Sequence, residues 1–221
     1  MTKPKNYKDT FLRFKSKTAK QRLLAEAILS NCIIFATGPA GTGKTHVPVA
    51  LACEDLLDGK IKQIVIARPA ITACGEKHGF LPGDIDEKMD PFLRPIYDVM
   101  SLYFQPNPNG KGFNTSNYNI EISPLAFMRG RTFDDAVVII DEGQNTTEEQ
   151  ILMILTRIGK NSKIIIAGDL DQNDIKGGRS GLAKGIKLAG KVDGIVHIEF
   201  DIKDCVRNPI ITDIIQVWST L

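Results

Sequence analysis

Short, uniformly apolar runs alternate with helical patterns along most of the chain. CIIFAT (32–37), QIVIA (63–67), VVIID (137–141), KIIIA (163–167) and IVHIEF (195–200) are too short for helices and rich in β-branched residues. Lacking polar alternation, they predict strands covered on both faces. A further short strand is expected near IEI (120–122). Helices are expected from the loop after residue 37 to about residue 58, over 146–158, after the glycine-rich turn that follows residue 174, and from about Pro209. Between Pro69 and Gly112, prolines and glycines punctuate the chain; a helix is expected between Asp84 and Phe104, bent at Pro91 and Pro95. NPNGKGFNTSN (107–117) reads as a surface loop. The alternation predicts an α/β fold, a mostly parallel sheet with helices on both faces.

The helix over 146–158 illustrates the local rules. Thr146 and Glu149 fit a capping box, and Ile151, Ile154, Leu155 and Ile158 recur at helical spacing toward the sheet. Arg157 falls off that stripe and is free to point elsewhere.

Composition sets outer limits. With 221 residues, 43% apolar and 24% charged, the chain supports one sizeable core and leaves no room for a second full domain. The division expected is a basic segment, 1–22, followed by a single domain, 23–221. No stretch approaches the roughly 18 uncharged apolar residues of a membrane span, and the N-terminus lacks a secretory signal pattern. A cytoplasmic protein with no membrane partner is therefore expected. The four cysteines (Cys32, Cys53, Cys74, Cys205) form no CxxC pair; Cys32 and Cys53 sit in apolar stretches and read as buried thiols. The net charge of +2 hides an asymmetry: residues 1–22 carry eight Lys/Arg against Asp9 alone. With Tyr7, Phe11 and Phe14 interleaved, this segment suits contact with nucleic-acid phosphates and bases. A solvated basic face is the equally weighted alternative.

Directly after the first strand comes GPAGTGKT, Gly38-Pro39-Ala40-Gly41-Thr42-Gly43-Lys44-Thr45, a full match to GxxxxGK[ST] between strand and helix. The glycines let consecutive backbone N–H groups curl around phosphate oxygens, and the helix starting near Gly43 adds its positive end. In this pattern Lys44 reaches the β and γ phosphates and Thr45 ligates Mg2+. His46 and Pro48 follow; Pro48 removes a donor and is expected to bend the helix slightly. VVIIDE supplies the complementary acids: Asp141 for the ion, through water, and Glu142 to orient and deprotonate the attacking water. Gln144, just beyond, carries an amide that both donates and accepts, suited to sensing a γ-phosphate. The next strand ends in Gly168-Asp169 with Gln172 in the corresponding place, although an ordinary loop amide is the better reading of Gln172 alone.

The motifs together resemble the PhoH-like ATPases, a phosphate-starvation-inducible family whose core is similar to the first motor domain of superfamily 1 helicases. The residues that carry the resemblance are GPAGTGKT (38–45), ARPA (67–70), GEKHGFLPGDIDEKMDPFLRPIYD (75–98), SPLAFMRGRT (123–132), IIDEGQN (139–145), LTRIG (155–159), AGDLDQND (167–174), SGL (180–182) and DCVRNP (204–209). Ala67 stands where the family has threonine, Gly143 where it has alanine and Asn208 where it has histidine.

The resemblance implies a three-layer, RecA-like P-loop NTPase over 23–221, with ATP as nucleotide and Mg2+ as cofactor. Gln21 would recognise adenine, beside a nucleotide site formed by residues 38–46. Helicase-type motors close nucleotide between two cores, the second lending an arginine worth about 10³–10⁵ in rate. A single core therefore implies a neighbouring subunit as donor, in a ring-like homo-oligomer such as a hexamer. Arg129, Arg131, Arg157, Arg179 and Arg207 are the arginines weighed: Arg157 to project to a neighbour, Arg207 to reach the nucleotide of its own chain. Two functions stay open: Mg2+-dependent ATP hydrolysis coupled to single-stranded RNA or DNA, and a slow nucleotide switch acting on a protein partner. The basic segment, Arg68 and the loop 107–117 are the hints of a surface for a nucleic-acid strand. The length also suits a phage-encoded copy working in its host's cytoplasm.

Overall fold

The computed structural model describes residues 13–69, 94–104, 118–174, 180–206, 210, 214 and 217. Cys74, Pro91, Arg179 and Arg207, the loop 107–117, and most of the segments 1–22 and 75–98 lie outside them. The described strands are β1 (Ile33–Thr37), β2 (Gln63–Arg68), β3 (Asn119–Pro124), β4 (Ala136–Ile140), β5 (Lys163–Gly168) and β6 (Ile195–Glu199). They form one six-stranded sheet in the order β3-β2-β4-β5-β1-β6, and every pairing is parallel. The helices are α1 (Ala19–Ser30), α2 (His46–Leu57), α3 (within residues 94–100), α4 (Glu148–Leu155) and α5 (Gly181–Gly185).

Strand alternation feeds two cores. Ile34, Ala36, Ile64, Ile66, Val137, Ile139 and Ile165 pack against α1, α2 and residues 96–104. Ile33, Phe35, Val65, Val138, Ile140, Ile164 and Ile166 face the other way, against Leu125, Met128, α4 and α5. Both faces are covered, which is why β1 and β4 are buried at every position and show no polar alternation.

Several boundaries differ from expectation for local reasons. The capping box of α4 is Thr147 with Gln150, one residue later than Thr146 with Glu149. Thr146 is fully buried and its hydroxyl donates to the Gly143 carbonyl at 2.6 Å, closing the 3-10 turn Gly143–Asn145 before the helix begins. The helix ends at Leu155, and Ile158 instead bridges Phe133. Regular helix in α2 starts at His46, but the Val47 N–H donates to the Gly43 carbonyl and the Val49 N–H to Thr45. Pro48 thus sits in the first turn, where a missing donor is tolerated, with helical bonds on both sides of it. Cys53 is buried, whereas Cys32 is exposed, because it precedes β1 at the sheet's rim. α1 crosses the division at residues 22 and 23, and its first turn belongs to the packed domain. No helix among the described residues is long and apolar enough to cross a membrane.

Candidate functional site

The C-terminal ends of β1, β2, β4 and β5 meet at one rim of the sheet, where crossover topology leaves a crevice. A cavity of about 390 Å3 opens there, lined by Gly43, Lys44, Thr45, Arg68, Asp141 and Glu142, with Phe14, Gln21, His46 and Val49 on its walls. Its volume lies within the range of small-ligand sites.

Gly38, Gly41 and Gly43 all adopt positive φ, the backbone path that curls the loop 38–45. At Gly43 the requirement is doubled: a Cβ would lie 2.6 Å from the Gln21 amide nitrogen. Gln21 is buried, its amide donating to the Thr42 carbonyl at 3.0 Å while its oxygen accepts from the Lys17 N–H at 2.8 Å. In this arrangement the side chain braces the loop from the start of α1. The Thr42 hydroxyl and the Lys44 ammonium both donate to the Pro39 carbonyl, at 3.0 and 3.1 Å. Ala40 and Gly41 meet the segment after β6: the Val206 N–H donates to the Gly41 carbonyl at 3.0 Å, and the Cys205 thiol approaches the Ala40 carbonyl. His46 tilts toward the Phe14 ring with centroids 6.1 Å apart. Burial first, and Lys17 second, lower its pKa and favour neutral imidazole.

The acids stand opposite the loop. Asp141 is buried, and its Oδ1 accepts from the Thr45 hydroxyl at 2.7 Å. These are two hard oxygen donors converging beside Lys44. They match a cation that takes one or two protein oxygens and completes its shell with phosphate and water, as Mg2+ does. The described residues hold no cluster of three or more His, Cys, Asp or Glu that would form an all-protein cage. Glu142 is in the left-handed region, φ 57°, a conformation that sets its side chain off the strand line. Its Oε1 accepts from the Arg68 guanidinium at 2.9 Å and its Oε2 from the Gln144 amide at 2.6 Å. The same Arg68 nitrogen is 2.9 Å from Asp141 Oδ2.

Gln144, 1% exposed, also reaches β5: its oxygen accepts from the Asp169 N–H at 3.0 Å. Gln172 is exposed and folds back, donating to Asp169 Oδ2 at 2.8 Å. The sequence thus locates two polar strand ends, and the sheet makes them neighbours through β4 and β5. Gly143 has a local cause: a Cβ there would lie 2.6 Å from Ile166 Cγ2.

The other candidates disperse. Arg157 donates to the Arg131 carbonyl, and its own carbonyl accepts from the Phe133 N–H, at the end of the sheet opposite Lys44. Arg131 is paired with Glu121 at 2.5 Å and stacks over Phe133. Arg129 is exposed. Phe14, partly buried, packs against the core while lining the cavity, its N–H bonded to Glu54, and Arg13 makes two bonds to Asp58 near 3 Å. The place of Arg68, on the two acids, is what sequence reasoning missed. Its signal was an arginine closing a β-branched run, in a sheet whose parallel strands all end at the same rim.

Residues 13–219 match the family model described as PhoH-like protein. The chain belongs to the PhoH-like family. It is 47% identical over 216 residues to a PhoH-like protein of Bacillus subtilis (strain 168), covering 97% of this chain and 66% of that relative. It is 40% identical over 195 residues to Protein PhoH of Escherichia coli (strain K12), covering 88% of this chain and 55% of the relative. This PhoH-like chain therefore spans somewhat over half to two thirds of the length of these relatives. Among solved structures, its fold is similar to the large terminase of a thermophilic bacteriophage, in complex with ADP. The TM-score is 0.54 at 13% identity, over 90% of this chain and 49% of the terminase. Family membership and fold agree, and Lys44, Thr45, Asp141 and Glu142 converge on one cleft at the rim of the sheet.

Proposed function

We propose that the chain is a Mg2+-dependent ATPase whose turnover is coupled to single-stranded nucleic acid. The observation that carries the reading is the 2.7 Å contact between the Thr45 hydroxyl and Asp141, facing Lys44 across one cleft. Thr45 and Asp141 would hold the ion, which when bound neutralises phosphate charge. Lys44 binds the β and γ phosphates, and loop N–H groups from Gly38 to Thr45 cradle them. Glu142 positions the attacking water and takes its proton. Gln144 holds Glu142 and reports its position to Asp169, with Gln172 continuing the line.

Two further elements belong to the proposal. The eight Lys/Arg of residues 1–22 supply attraction for phosphate backbones. Arg157, remote from its own cleft, acts on a neighbour's nucleotide in a ring of identical subunits. Arg207 remains the in-chain candidate, since Val206 before it touches the loop at Gly41.

The test is ATP turnover per protomer over a wide protein concentration range, with and without single-stranded RNA. Specific activity is expected to rise with both. Lys44→Ala is expected to abolish nucleotide binding, and Glu142→Gln to bind ATP while hydrolysing it at least about 100-fold more slowly. Unchanged turnover by Glu142→Gln removes that residue from its role. A low rate indifferent to concentration and to RNA refutes the nucleic-acid coupling and the shared site.

A further inference from the structure

We propose that Arg68 is an in-chain γ-phosphate residue of this cleft, which gives up its bonds to Asp141 and Glu142 when it takes a terminal phosphate. The inference rests on the ATPase reading above and adds a role for a residue at the end of β2. One guanidinium nitrogen of Arg68 lies 2.9 Å from both Asp141 Oδ2 and Glu142 Oε1, and its side chain is only 15% exposed. The placement follows from register: Ala67 is paired with Ile140, so the next residues on each strand, Arg68 and Asp141, emerge side by side.

Three observations argue that this pairing gives way to a bound nucleotide. First, the oxygens that would receive a cation are already satisfied by the protein: Asp141 Oδ1 by Thr45 and Oδ2 by Arg68. A divalent ion at Thr45 and Asp141 competes with the guanidinium for the same carboxylate and repels it. Second, each oxygen of Glu142 accepts a bond from the protein, Oε1 from Arg68 and Oε2 from Gln144. Departure of either donor frees a further acceptor site on Glu142 for water. Gln144 is almost fully buried and anchored at its other end to the Asp169 N–H. Arg68 is on a longer, more flexible side chain that borders the cavity, and it is the donor able to leave. Third, the cleft that Arg68 borders also holds Lys44, so the anion nearest to a released guanidinium is the terminal phosphate delivered there. Guanidinium forms strong, charge-assisted bonds with phosphate oxygens. A diphosphate brings no such group, so nothing draws Arg68 off Glu142. Nucleotide state is thereby read at Glu142 itself: with a γ-phosphate present Oε1 is released by Arg68, and without it Oε1 stays bonded to Arg68.

The test compares Mg2+-supported binding of ADP and of β,γ-imido-ATP to the full chain by titration calorimetry, for the wild type, Arg68→Ala, Arg68→Lys and Lys44→Ala. The expected result is that Arg68→Ala weakens the triphosphate analogue by at least about tenfold and ADP by less than about threefold. Arg68→Lys keeps the charge but not the fork, and is expected to fall between. A ratio of analogue to ADP affinity equal to wild type in either soluble Arg68 variant overturns the inference, and is the result expected if Arg68 serves only a nucleic-acid strand. If Arg68→Ala does not fold, the ratio in Arg68→Lys decides. Wild-type nucleotide affinity in Lys44→Ala overturns the ATPase reading instead, so the two failures are distinguishable.

Discussion

Replacing Gln144 by glutamate changes one atom pair and tests the line from Glu142 to β5. The Gln144 amide nitrogen donates to Glu142 Oε2 at 2.6 Å, and its oxygen accepts from the Asp169 N–H at 3.0 Å. Gln144→Glu keeps the acceptor for Asp169 but sets a carboxylate against Glu142. A hydrogen bond to a charged partner contributes roughly 1.5–3 kcal/mol when shielded. The Glu142 side chain is 41% exposed, so water screens the repulsion, and a loss of about 1–2 kcal/mol at pH 8 is the appropriate magnitude. For a chain of this size that lowers Tm by roughly 2–8 °C. Like charges in contact favour protonation, so the introduced carboxyl binds its proton more tightly in the folded chain than in the unfolded one. Its folded-state pKa is raised, so stability is full below the ordinary glutamate value of about 4.3 and is lost as pH rises through the folded value. The variant should therefore melt near wild type at about pH 4 and fall progressively behind it from pH 5 to pH 8. Gln144→Leu, which also strands the Asp169 N–H, should melt lower at every pH. Circular dichroism melts at three pH values against wild type are sufficient. If Gln144→Glu tracks wild type from pH 5 to pH 8, the bond to Glu142 does not exist in solution.

Two other outcomes follow from the structure. Burial lowers the pKa of His197, whose Nε2 lies 2.7 Å from the Thr37 hydroxyl, and of His46. Both are depressed, so their stability contribution is present above the unfolded value of about 6.5 and is lost as pH falls toward the folded values. The wild type should lose Tm between about pH 7 and pH 5, and His197→Asn should flatten that slope. Lys163 donates to the carbonyls of Ile28, Leu29 and Asn31, at 2.5, 3.1 and 3.2 Å, closing the C-terminal end of α1. Lys163→Met should lower stability by about 1.5–3 kcal/mol in denaturant titration with nucleotide affinity unchanged.

The residues differ in how much of their place could be read along the chain. β1, β2, β4 and β5 appear within a residue or two of their apolar runs, because burial on both faces leaves no other choice for four or five consecutive apolar positions; β6, a partly buried edge strand with His197 at its centre, was marked by its β-branched residues alone. The loop 38–45 is local, so its contacts were legible as a string. The start of α4 was not, because Thr146 and Thr147 both fit a cap and only the buried bond from Thr146 to Gly143 selects the second. Arg68 was opaque for a different reason. Its partners lie more than seventy positions away and become neighbours only through strand order, which the apolar runs do not encode. Gln21 shows the same limit: its helix was visible, but the approach of α1 to Gly43 was not.

The strand order also bears on how the chain assembles. β1, which leads into the loop 38–45, pairs with strands that come much later: Ile33 sits beside Ile164 on one side and Ile195 on the other. During synthesis, β1 emerges early and both its edges wait for nearly the whole domain, while β2 and β4 can already pair. An apolar strand with two open edges invites association with other chains. The late strands thus close the sheet and shield it in one step, and nascent chains stalled before β5 should be the ones that aggregate and engage chaperones.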